Sequence, residues 1–168
     1  MVPQSIYAQW VTNNLSSLPL DAIVIGVFTL VIVIASLKWG TQVAAALAFS
    51  APLAVFTFNA VPHTAYISGF VGAFSAGLAA AGLFCALFVA FWLLAFRVIG
   101  SYGMTGAYPM QACLGGIAAA TVVLVFWFQI PALDTLWHFG SQVQALFAEG
   151  YRLFWLIPAF LALAFTRR

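Results

Sequence analysis

No charged side chain stands between Lys38 and Arg97, and none between Arg97 and Asp134. Uncharged stretches of that length, interrupted only by short turns, limit the possible folds more than any other feature of the chain. The first such run follows Asp21: Ala22 to Leu37 are apolar or small throughout, rich in Val and Ile, and close on Lys38, Trp39 and Gly40. A run of this kind reads as a helix crossing the hydrocarbon of a bilayer. Composition agrees, since 65 % of the 168 residues are hydrophobic and only 5 % are charged. A soluble domain is about a quarter charged. Folded in water, this chain would expose more apolar surface than one core can hide. In lipid each backbone polar group must be satisfied within a helix or a closed barrel. The runs lack the alternation of barrel strands. The expected fold class is an all-α integral membrane protein, a bundle of about five transmembrane helices.

Residues 1–19 combine Ile6, Tyr7, Trp10 and Val11 with polar neighbours, as an N-terminal interfacial segment would. They contain neither the basic start nor the apolar core of a cleavable signal, so the first span is expected to act as the insertion signal. Residues 20–168 form a single transmembrane helical domain, with spans expected at about 20–37, 41–58, 69–96, 110–130 and 151–166. Pro19 and Asp21 suit the start of the first span. Pro52 falls inside the second and should kink it. The last segment is apolar only over 153–166, short for about 30 Å of hydrocarbon. If it re-enters instead of crossing, four spans remain. Between the fourth and fifth spans, Leu133, Leu136, Trp137, Val143, Leu146 and Phe147 among polar residues suggest a surface-lying helix.

Small residues mark helix-packing positions. In the third span Ala73, Gly77 and Ala81 recur every four residues, and the fourth opens on Gly115 and Gly116. Such stripes let helix backbones approach closely. The third span is bulky in its second half, with Phe84, Phe88, Phe91, Trp92 and Phe96 expected to face lipid or a partner. Large-into-small packing of the third span on the fourth is the expected arrangement. Cys85 and Cys113 fall at different depths of two spans, which excludes a disulfide between them and suggests apolar filler.

The charges set the orientation. Lys38, Arg97, Arg167 and Arg168 follow spans one, three and five and share one face of an alternating path. Asp21, Asp134, Glu149 and Arg152 fall on the other. Basic residues favour the cytoplasmic side, so the N-terminus is expected outside and the C-terminus in the cytoplasm, with Lys38, Arg97, Arg167 and Arg168 as topology anchors. Arg152 is the exception, and Glu149 could pair with it on a helix.

Reactive constellations are not visible. No span holds an ionisable residue near its centre, where one would mark a proton or ion path. His63 and His138 lie in separate loops without ligand-spaced Cys or carboxylates, so no metal is expected. No Ser/His/Asp grouping shares a face. The turn G-S-Y-G-M-T-G at 100–106 lacks the Lys-Ser/Thr of a phosphate loop. Neither a catalytic residue nor a cofactor is expected. Trp10, Trp39, Trp92, Trp127, Trp137 and Trp155 all sit near expected membrane boundaries.

The segment L-D-A-I-V-I, ending S-L-K-W-G, and the turn G-M-T-G at 103–106 followed by Gly115 and Gly116 resemble the colicin V production protein (CvpA)-like family of membrane proteins. The matching positions are Asp21, Lys38, Gly103 and Gly106. Ala107, Tyr108 and Pro109 stand where that family has an acidic-basic pair, and Ala118 and Ala119 where it has Arg-Gly. The resemblance implies a bacterial inner-membrane protein with a role in export or envelope upkeep. The residues themselves suggest a non-enzymatic scaffold or accessory subunit of a larger membrane assembly. Its expected partners are the lipid bilayer and other membrane subunits or further copies of itself, and not nucleic acid. An oligomeric, holin-like pore is the alternative, for which Ser68, Ser75, Thr121 and Gln129 would supply the polar stripe.

Overall fold

The computed structural model describes residues 19–60, 76–100 and 108–166. They form α1 (Leu20–Trp39), α2 (Gln42–Ala60), α3 (Ala76–Gly100), α4 (Pro109–Trp127), α5 (Ser141–Leu146) and α6 (Arg152–Phe165). Two 3-10 turns, Pro131–Thr135 and Glu149–Tyr151, flank α5. No strand occurs among the described residues. Helices α1 to α4 are each long and apolar enough to cross a membrane, so the chain is a multi-pass helical bundle built for lipid.

Local chemistry fixes the helix ends. The Pro19 carbonyl accepts from the Ala22 and Ile23 amides, and Asp21 lies in the first turn of α1. Gly40 ends α1 with φ 87° and ψ 165°, a backbone region that glycine alone enters freely. Helix α2 starts two residues later, which makes α1 and α2 an antiparallel hairpin. Pro109 occupies the first turn of α4, where its missing N–H costs little. Helix α4 ends at Trp127, earlier than the run to Ile130 expected from hydropathy. Pro131 holds Ile130 extended (φ −115°, ψ 101°), and the residues just before it tighten into a turn. Helix α3, by contrast, continues past Arg97 to Gly100.

Neighbouring helices alternate in direction. The carbon of a side chain built at Gly115 would touch Ala44 near the start of α2, and the face at Gly116 lies on Val33 near the end of α1. Gly77 at the start of α3 meets Thr135, beyond the end of α4. Helix α6 runs antiparallel to α4, from Arg152, which bonds the Phe128 carbonyl, to Thr166, which sits beside Gly115. The bundle therefore has a Gly40 end, with Lys38 and Arg97, and a capped end, with Asp21, Asp134, Glu149 and Arg152.

The packing differs from the expected pairing. The small face of α4 is occupied by α1, α2 and α6, not by α3. Three of the large rings of α3 turn inward instead of toward lipid or a partner: Phe84 is buried, and Phe88 and Phe91 pack on the core. Their partner is α2, whose Ala44, Ala46, Ala48, Ala51 and Ala54 are all buried. Alanines on α2 leave room for phenylalanines on α3, so large meets small across that pair. Phe58 of α2 meets Phe84 edge-on at 5.9 Å, and Phe84 stacks with Phe88 at 6.3 Å. Cys85 and Cys113 are both free and exposed on the helix surfaces, so neither fills a core.

Residues 131–151 do not form one surface helix. They break into turns and a single short helix that fold back over the bundle. Leu133 is fully buried against Ala54, Val55, Ala81 and Ile130, and Phe139 and Phe147 are buried with Leu124 and Val125. Phe128 contacts Phe139 at 5.3 Å and stacks on Phe147 at 5.6 Å. This aromatic cap covers the start of α1 and the end of α4.

Candidate functional site

Three residues, Asp21, Arg152 and Trp155, tie the cap down through polar contacts. Asp21, in the first turn of α1, accepts the Gly140 amide at 2.6 Å and the Trp137 indole N–H at 3.3 Å. Arg152 donates to the Phe147 carbonyl at 3.3 Å and the Phe128 carbonyl at 3.1 Å, and pairs with Glu149 at 3.8 Å. That pair, three residues apart, is the one expected from the sequence. Trp155 donates to the Leu146 carbonyl at 2.8 Å. His138 meets Asp134 at 2.9 Å in the open.

Two concavities flank this cap. One, of about 360 Å³, lies between α1, α3 and α4 and is walled almost wholly by apolar atoms. It is lined by Val24 of α1, Val89 of α3, Val123 and Leu124 of α4 and Ala51 of α2, with Trp137 and Phe139 of the cap. The other, of about 410 Å³, is polar and lies above the end of α4, with Asp134, Gln144, Glu149 and Arg152 around it. Arg152 is already held by two carbonyls and a carboxylate, which makes it a strut of the cap. Among the described residues no three His, Cys, Asp or Glu side chains stand close enough to hold a metal ion.

Several hydroxyl groups of the helices are spent locally. Thr29 donates to the Ile25 carbonyl, Ser50 to Leu47, Thr57 to Leu53, Thr121 to Ile117 and Thr166 to Leu163. Such back-bonding satisfies a hydroxyl inside lipid without a partner helix. Two buried polar atoms, Ser36 Oγ and Trp92 Nε1, have no hydrogen-bond partner among the described residues. Of the polar stripe suggested for a pore, Thr121 faces its own helix, Gln129 lies beyond the end of α4, and Ser68 and Ser75 fall outside the described residues.

The residues marked by sequence as packing positions fall at two separate places. A Cβ at Gly77 would lie 2.9 Å from Thr135 Cγ2, and Ala81 is fully buried one turn further on. Gly115 and Gly116 lie near the other end of the bundle, facing Ala44, Thr166 and Val33, and at Gly116 a Cβ would collide with Val33. Ala73 lies outside the described residues. Lys38 holds its ammonium 5.0 Å over the Trp39 ring, and Arg97 is exposed in the last turn of α3. Arg167, Arg168, Gly103 and Gly106 are outside the described residues. Sequence reasoning missed the Asp21 clasp, which joins positions more than a hundred residues apart, and the buried Phe139, which depends on the chain folding back over the end of α4. Comparison with protein-family models, curated proteins and solved structures finds no match.

Proposed function

We propose that this chain is a non-enzymatic scaffold or accessory subunit of a larger membrane assembly. The observation that carries this reading is the apolar exterior left by the fold. Val27, Leu30, Val31 and Ile34 on α1, Leu93, Leu94 and Val98 on α3, and Phe154, Ile157 and Leu161 on α6 are all exposed. Thr29, Ser50, Thr57 and Thr121, meanwhile, turn their hydroxyls back on their own helices. Lipid covers such faces, and so do the apolar helices of neighbouring subunits. Their packing gains dispersion contacts that lipid tails supply less regularly.

The same reading seats the chain in a bacterial inner membrane with five crossings, its N-terminus outside and its C-terminus in the cytoplasm. Helix α6 is 14 residues long, roughly 21 Å at 1.5 Å per residue. It runs from the capped end to the level of Ala44 beside the Gly40 turn, so a bilayer that holds α4 would be crossed by α6 as well. Lys38 and Arg97 gather at the Gly40 end, which is the side basic residues favour in the cytoplasm.

Light scattering of the chain extracted in a mild detergent tests the assembly. A particle with protein mass well above one 18.0 kDa chain is expected. A strictly monomeric particle would contradict the reading.

A further inference from the structure

We propose that the apolar cavity between α1 and α3 holds one acyl chain of a bilayer lipid, which enters sideways between the two helices. Its walls decide the chemistry. About 360 Å³ is within the range of small-molecule sites, about 300–1,000 Å³. Almost every atom lining it is apolar. Water finds no partners in such a space and stays out. Left empty, the cavity would forfeit dispersion contacts along every wall.

The openings decide the source. Toward the aqueous end the cavity is roofed by Trp137 and Phe139, and the Asp21 carboxylate holds that roof through Trp137 Nε1 and the Gly140 amide. Toward the side it is open among the described residues, because α1 and α3 do not pack along one another. The rim there is formed by Val24, Cys85 and Val89, all exposed on the faces that meet lipid. An occupant must come from the hydrocarbon, and it must be apolar along its whole buried length. A hydrocarbon tail meets both conditions. No charged side chain lines the cavity, so the headgroup stays outside in the lipid layer. The inference stands independently of the scaffold reading.

Trp127 and Trp137 line the cavity and report on it directly. A chain keeping these two, with the other four tryptophans replaced by Phe, is reconstituted in bilayers of phospholipid brominated within the acyl chain. Strong quenching of their fluorescence is expected, and filling the cavity by Cys85→Phe or Val89→Phe should abolish most of it. Should the two-tryptophan chain fail to fold, the otherwise wild-type chain compared with each filled variant reads the same loss, with helix content by circular dichroism as the control. Equal quenching in filled and unfilled chains would overturn the proposal. So would absence of quenching, the result expected if residues 1–18 or a second copy of the chain occupied the space.

Discussion

Two glycines on successive helices show how differently the same residue can be used. At Gly116 a single added carbon would strike the backbone and side chain of Val33, whereas at Gly82 it would meet nothing within 4 Å. Gly82→Ala should therefore stabilise α3 by about 0.5–1 kcal/mol through reduced backbone freedom of the unfolded chain. Gly116→Ala should lower stability, because α1 must shift away from α4. Thermal unfolding in detergent reads both, and equal shifts for the two would contradict the close approach at Gly116. Asp21 is the other decisive residue. The sequence placed it at a helix start, where a carboxylate suits the dipole. Its grip on Gly140 and Trp137 was not legible, since nothing local announces a contact spanning 119 positions. Asp21→Ala removes the carboxylate acceptor of an exposed backbone amide and a partly buried indole N–H. We expect a loss of about 1–3 kcal/mol, with the Trp137 emission shifted toward that of a water-exposed indole. Unchanged emission would mean the cap holds without the clasp.

At the scale of elements, hydropathy made the long helices legible because a span is defined by the solvent around it, and that solvent leaves its mark on every residue. Packing left a fainter mark. Phe84 and Phe88 look lipid-facing when α3 is read alone, and they turn inward only because α2 presents alanine after alanine opposite them. The small face at Gly115 and Gly116 was visible, yet which helices would occupy it depends on the arrangement of the whole bundle. The stretch after α4 was the least legible. Its apolar residues suit a surface helix by spacing, but Pro131 and Gly140 divide it, and Leu133 and Phe139 drop into the bundle. Leu133→Ala should cost about 2–5 kcal/mol, as for other buried leucines, while Leu136→Ala, on an exposed position, should cost far less. Comparable losses at both would show that the cap does not seat on the core.

For the whole molecule, direction is the central issue. One end of the described bundle carries Lys38 and Arg97 and the other Asp21, Asp134, Glu149 and Arg152, a polarity that a membrane would read. Moving one basic residue across a bilayer centre is costly enough that such asymmetry directs insertion. The fifth crossing proposed above rests on α6, whose short length suits re-entry while its course along α4 favours passage. A reporter fused after Arg168, active only in the cytoplasm or only outside, tests this most directly. Activity of the cytoplasmic reporter, with the external one silent, is the result expected for five crossings with the N-terminus outside. Activity of the external reporter alone would contradict that path.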